Sequence, residues 1–237
     1  MSDPAVISSA VPVEPGIVSS NLHFPVVGIG ASAGGLPALQ RLFENMPAAH
    51  EMAFVVILHL SPKHRSSAAS ILQRTTRMPV VQVTSRVQIE PGHVYVIAPN
   101  VHLTMMDGLL IVEDLQRPRG QHVAIDLFFR TLAQVHRERS IAIVLSGTGS
   151  DGAVGLSRVK EQGGVTIVQS PDDAEHEGMP LAAIRTGAVD FVMPVVEMPQ
   201  KLIDLWDNAK RIQLPPPGNA EAPVEHAATP AELEAGA

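Results

Sequence analysis

The chain alternates short apolar, β-branched runs with amphipathic helical patterns, and that alternation leaves few folds open to it. The runs fall at Val26–Ile29, Ala53–Leu58, Val80–Val83, Val94–Ile97, Ile141–Leu145, Val165–Val168 and Phe191–Met193. Several are apolar on both faces, as strands covered by helices on each side must be. Between them, helical periodicity predicts helices at Leu36–Asn45 with Pro37 in the first turn, Ser67–Thr75, Ile125–Arg139, Ala153–Gln162, Leu181–Thr186 and Pro199–Arg211. One segment breaks the rhythm. Leu103–Val112 places Asp107-Gly108 between apolar arms, a β-hairpin signal. The sum predicts an α/β protein: a doubly wound, mostly parallel sheet with helices on both faces and an antiparallel β-hairpin near one edge.

The ends of the chain lack this pattern. Residues 1–23 are rich in Ser, Pro, Val and Ala without a period and are expected to form a flexible leader. Pro215-Pro216-Pro217 stops the last helix, and 213–237 reads as a disordered Pro/Ala/Glu tail, leaving 24–212 as the folded unit. Of the 237 residues 45% are hydrophobic, enough for a sizeable core. A net charge of −7, only 3% aromatic residues and no basic patch with interleaved aromatics exclude a nucleic-acid partner. With no cysteine, the chain has no disulfide, thiolate metal site or cysteine nucleophile, which fits a reducing compartment. No apolar run approaches the roughly 20 residues of a membrane span, and no basic-then-apolar signal segment opens the chain. The expectation is a cytoplasmic protein without direct membrane insertion.

Open α/β sheets carry their chemistry beyond the carboxyl ends of the strands, so polar residues just after predicted strands are the candidates. Ser32 follows the first strand inside Gly28-Ile-Gly30-Ala-Ser32-Ala-Gly34-Gly35 and fits a Gly-x-Ser-x-Gly nucleophile elbow. There, small residues leave room for a substrate, and glycine tolerates a sharp, strained turn. The plainer alternative is a serine that caps the following helix. His59 ends the second strand as either a polar cap or a base. Asp151 follows the strand Ile141–Leu145 in Ser146-Gly147-Thr148-Gly149-Ser150-Asp151-Gly152, as an ordinary helix N-cap or as the acid that orients a histidine. Asp126, Asp172 and Asp190 are weaker rivals, Asp126 falling in the first turn of a helix where a carboxylate suits the dipole.

Together the three supply nucleophile, base and orienting acid at one edge of one sheet. A serine hydroxyl is too weakly acidic to attack an ester unaided, so Ser32 needs His59, and His59 needs Asp151 to fix its tautomer. The backbone N–H of Ala33, at the start of the next helix, would face the developing oxyanion. Two other chemistries fare worse. Gly28-x-Gly30-x-x-Ala33 also meets a loose dinucleotide fingerprint, but that requires an acid at the end of the second strand, where His59 stands. The ten histidines show no H-x-x-x-H or H-E-x-x-H spacing, so neither a metal nor another cofactor is expected.

The same residues resemble a known family. Gly30-Ala-Ser32-x-Gly-Gly, His59 with Pro62 behind it, Pro91-Gly-His-Val-Tyr-Val-Ile-Ala-Pro99, Gly147-x-Gly-x-Asp151-Gly152 and Gly178-Met-Pro180 are similar, in order, to the catalytic domain of the chemotaxis protein-glutamate methylesterases (CheB). The resemblance spans about Val26 to Asp204. It implies a Ser-His-Asp hydrolase that removes methyl esters from glutamates on the cytoplasmic helices of chemoreceptors, releasing methanol, and that also deamidates glutamines. By position it implies Ser32 as nucleophile, His59 as base and Asp151 as orienting acid, with Ala33 and Thr148 at the oxyanion pocket. The order Ser, His, Asp differs from the Ser, Asp, His of α/β-hydrolases, so the elbow does not imply that fold. Three departures stand out. Ala33 and Thr148 replace the family's usual Thr and Met, and the stretch Arg117-Pro-Arg119-Gly-Gln-His122 before Val123-Ala-Ile125-Asp126-Leu-Phe128 is altered, bearing on receptor docking. The family's usual N-terminal receiver domain has no counterpart in residues 1–23, so a separate response-regulator or kinase partner is expected to regulate it. The alternative is an esterase-like module that binds in a chemosensory complex without turnover.

Overall fold

The computed structural model describes residues 22–47, 50–59, 67–99, 101–106, 108–114 and 123–212. Residues 1–21 of the expected leader, the tail 213–237, Pro62, Asp107 and the Arg117–His122 stretch lie outside them. The elements run β1 (Val26–Ala31), α1 (Gly35–Glu44), β2 (Ala53–Leu58), α2 (Ala68–Thr75), β3 (Val80–Val83), β4 (Val87–Gln88), β5 (Val94–Ile97), β6 (Val101–Met106) and β7 (Leu109–Asp114). They continue as α3 (Ala124–His136), β8 (Ser140–Val144), α4 (Ala153–Glu161), β9 (Val165–Gln169), α5 (Gly178–Ile184), β10 (Phe191–Met193) and α6 (Met198–Ile212).

The seven apolar runs of the sequence are the strands of one parallel sheet, in the order β10-β9-β8-β1-β2-β5-β3. From β1 the chain passes to its neighbour β2, goes on to β3 at the sheet edge and comes back to β5 between β2 and β3, then crosses to β8 on the other side of β1 and winds outward through β9 and β10. Neighbours β1 and β8 therefore lead the chain on in opposite directions, to β2 and to β9, and the crevice between them is the topological switch point where open α/β sheets hold their ligands. The β6–β7 hairpin forms as expected, but it joins β4 in a separate three-stranded antiparallel sheet instead of extending the main one. Thr131 of α3 fastens it, its hydroxyl accepting the Met105 N–H at 3.0 Å.

Alternate residues of β1 face opposite sides. On one side Gly28 and Gly30 lie under α3: a Cβ on Gly28 would come within 2.9 Å of Leu132, and one on Gly30 would overlap Ile125. On the other side Ala31 meets the start of α1 at Gly35. Two glycines that the sequence offered as space for a substrate are thus space for a helix. Phe128, Phe129 and Leu132 of α3 are fully buried against the sheet, each side chain contributing on the order of 2–3 kcal/mol by leaving water.

One buried group carries a pH signature. His136 ends α3 with 4% exposure, and neither ring nitrogen has a hydrogen-bond partner among the described residues. Burial, reinforced by the charge of Arg139, pushes its pKa down from 6.5 to about 4. Between those values the unfolded chain takes up a proton that the folded chain refuses, so this group's contribution is present above pH 6.5 and is lost as pH falls toward 4. The full window is worth about 3 kcal/mol. Urea melts of wild type and His136→Leu at pH 7 and pH 4.5 should show a smaller stability loss in the variant; equal losses would remove His136 from the account.

Candidate active site

The main-chain ladder around β1 continues past the end of the strand. Leu145 N–H donates to Gly30 O at 2.9 Å, His59 N–H to Ala31 O at 3.2 Å and Ser32 N–H to Ser146 O at 3.0 Å. These bonds hold the loops after β1, β2 and β8 side by side at the switch point. Ser32 then turns into α1, its carbonyl accepting the Gly35 N–H at 2.9 Å. The left-handed residue of that turn is Gly34, with φ of 71°, and not Ser32; the only described non-glycine residue at positive φ is Arg137. The strain the elbow reading assigned around the serine is thus absorbed by a residue without a Cβ. No side-chain hydrogen bond forms at Ser32 among the described residues, and its hydroxyl is not joined to His59. Catalytic contacts of this kind are often long in unliganded enzymes and tighten around substrate.

His59 and Asp151 do meet. His59 Nε2 lies 2.7 Å from Asp151 Oδ2, with the side chains 16% and 5% exposed. The Asp151 carboxylate also accepts the N–H of Ile125 on Oδ2 at 3.1 Å and of Asp126 on Oδ1 at 2.9 Å. Those are the second and third residues of α3, the donors a helix cap serves. Asp151 is therefore a cap, as its plainer reading held, but of α3 and not of the helix that follows it. Its negative charge sits at the positive end of α3, and three donors surround it. That leaves it fit to hold an imidazole in one orientation and to face an imidazolium.

The rival carboxylates sit elsewhere. Asp190 accepts from the Thr166 N–H and hydroxyl near the start of β9, at the opposite end of the sheet from Ser32. Asp172 is exposed beyond β9. Asp126 occupies the first turn of α3, and its Oδ1 accepts the Gly155 N–H of α4 at 2.7 Å. Burial pushes the Asp126 carboxyl up; the Gly155 N–H pulls it back, and the neighbouring Asp151 adds to the rise.

Ala33 and Thr148 are exposed at the rim, and their N–H groups have no acceptor among the described residues. The glycines around Thr148 serve close packing on one flank: a Cβ on Gly147 would overlap Met179 and lie 2.9 Å from Ser32 Cβ. Sequence reasoning passed over Ser146, a buried side chain at the start of the loop after β8. Its hydroxyl donates to Ala33 O and accepts the His176 N–H, each at 2.9 Å, and its N–H donates to Gln169 Oε1 at 2.8 Å. Gln169 in turn donates to Asp173, which pairs with Arg41 of α1 at 2.6 Å. Burial acts to raise Asp173, but the Val195 N–H, Arg41 and Gln169 outweigh it and hold the carboxyl below its usual range. The ring ties α1, β9 and the β8 loop around the serine turn. A polar residue two positions after a strand was its only signal in the sequence.

A dinucleotide has no place here, since α3 covers Gly28 and Gly30 and the residue that follows the second strand is His59, not an acid. Among the described residues no three His, Asp or Glu side chains are grouped to hold a metal ion, and no helix is long and apolar enough to cross a membrane.

Comparison with known proteins places this arrangement. A family model described as CheB methylesterase matches residues 27–202. A putative protein-glutamate methylesterase/protein-glutamine glutaminase of Leptospira interrogans is 30% identical over 188 residues, covering 79% of this chain and 97% of that protein. The protein-glutamate methylesterase/protein-glutamine glutaminase of Pyrococcus abyssi is 32% identical over 181 residues, covering 75% of this chain and 49% of that protein. The chain thus spans the first relative almost end to end and about half of the second. The crystal structure of the Thermotoga maritima CheB methylesterase catalytic domain superposes with a TM-score of 0.72 at 29% identity, covering 78% of this chain and 100% of that one.

Proposed function

The chain belongs to the CheB methylesterase family, and from that premise we propose that it hydrolyses glutamate methyl esters on chemoreceptor helices through Ser32, His59 and Asp151. The observation that carries the assignment is the 2.7 Å bond from His59 Nε2 to Asp151, made beside the turn that presents Ser32. Because Nε2 holds the acid, the base toward Ser32 is Nδ1. In the first step Nδ1 takes the hydroxyl proton as Ser32 Oγ bonds to the ester carbonyl carbon, and the oxyanion is met by the N–H groups of Ala33 and Thr148. One such donor is typically worth about 3 kcal/mol. Ala33 can fill this role because a main-chain donor does not depend on the side chain. The adduct then collapses, the C–O bond to the methoxy group breaks, and His59 returns its proton to give methanol. Water, deprotonated by His59, attacks the acyl-serine in the same manner and releases glutamate and Ser32. A glutamine side chain entering the same cycle loses ammonia in place of methanol.

This reading places the protein in the cytoplasm, with methylated chemoreceptor helices as substrate and a response regulator or kinase as a separate regulatory partner. Its test is a methyl-esterified receptor fragment incubated with the chain, alongside an aryl phosphonate. One methanol per ester lost and a phosphonate adduct on Ser32 are expected. Turnover with no adduct on Ser32 would move the nucleophile elsewhere. Neither turnover nor adduct would leave the non-catalytic binding module as the surviving account.

A further inference from the structure

The helices that follow the altered docking stretch and the β8 loop exchange their caps. The N-cap residue of α3 is Val123 and that of α4 is Gly152, and neither offers a side-chain cap. Instead Asp151, just before α4, accepts the Ile125 and Asp126 N–H groups of α3. Asp126, in the first turn of α3, accepts the Gly155 N–H of α4. The two helix starts touch: a Cβ on Gly155 would lie 2.9 Å from Asp126 Cα. Two carboxylates thereby share the space between two positive helix ends, which offsets their mutual repulsion.

The exchange bears on catalysis because Asp151 has a competing task nearby. An Asp placed just before a helix ordinarily turns its carboxylate onto that helix's first N–H groups. Here that would draw it away from His59. Asp126 removes the competition by occupying the Gly155 N–H itself, and its own N–H grips Asp151 Oδ1 while Oδ2 faces His59. We propose that Asp126 is a positioning residue, which commits the Asp151 carboxylate to His59 by satisfying α4 in its place. This rests on the triad reading above and adds to it a residue that touches neither substrate nor His59.

The test separates positioning from mere helix capping. In the full chain, Asp126→Ala should lower kcat about tenfold with KM unchanged, whereas Asp126→Asn, which keeps an oxygen for the Gly155 N–H, should recover most of it. The His59 ring proton facing Asp151 gives a second readout that needs no turnover. Its downfield proton resonance should shift or broaden in Asp126→Ala and return in Asp126→Asn. If Asp126→Ala does not fold, Asp126→Ser is read by the same criteria. A variant that melts earlier yet keeps wild-type kcat and the wild-type resonance makes Asp126 a structural cap and overturns the proposal. Should wild type itself release no methanol, the triad reading fails, while the resonance still decides whether Asp126 holds the Asp151–His59 pair.

Discussion

Replacing Ser32 with alanine is expected to cut methanol release from a methylated receptor fragment by about four to six decades in kcat, with the fold intact. The catalytic loss follows from removing the only atom of the serine that would bond to the substrate carbonyl. What survives is the work of the oxyanion donors and of binding, on the order of 10³–10⁴ over water. The fold survives because Ser32 serves it through its backbone: its N–H donates to Ser146 O and its carbonyl accepts from Gly35, and alanine keeps both bonds. Its hydroxyl has no partner among the described residues, so unfolding midpoints should agree to within about 0.5 kcal/mol. A phosphonate that labels wild type should leave the variant unmodified. Methanol release at the wild-type rate from a correctly folded Ser32→Ala protein would end the nucleophile assignment.

Much of this architecture could be read from the chain because a parallel strand buried on both faces leaves an unmistakable apolar run. The strand ends then pointed to Ser32, His59 and Asp151, since the fold class dictates where three loops must converge. What stayed hidden was whatever depends on partners far away in sequence. β4, two residues long, carries no period to detect. Gly28 and Gly30 look like a ligand cradle until α3, about a hundred residues later, is laid over them. The cap exchange was hidden for the same reason: an Asp before a helix signals a cap for that helix, and only packing shows that α3 receives it. Ser146 looked like ordinary loop polarity because its partners come from the β1 turn, β9 and the segment before α5.

Asp151→Asn gives the second large effect and isolates what the carboxylate does for His59 from what it does for α3. Alanine is the wrong substitution for that purpose. It would leave the Ile125 and Asp126 N–H groups without their acceptor, at about 1–3 kcal/mol for each one stranded in the interior, and blur a catalytic loss with a folding defect. Asparagine keeps an oxygen for the Asp126 N–H and gives up only the Ile125 acceptor and the charge-to-dipole attraction, so its folding cost is about 1–3 kcal/mol, below that of alanine. Toward His59, however, it can present its amide group, a donor where the carboxylate accepted. The imidazole then adapts by leaving Nε2 unprotonated and carrying its proton on Nδ1, the nitrogen that must take the Ser32 proton. A base in the wrong tautomer, with no carboxylate to stabilise its charged form, loses about 10⁴ in kcat while KM changes little. Steady-state kinetics on the methylated fragment, paired with a urea melt, read the two effects separately. An Asp151→Asn protein that retains more than about a tenth of the wild-type kcat would show that Asp151 is a helix cap alone, and that His59 takes its orientation from elsewhere.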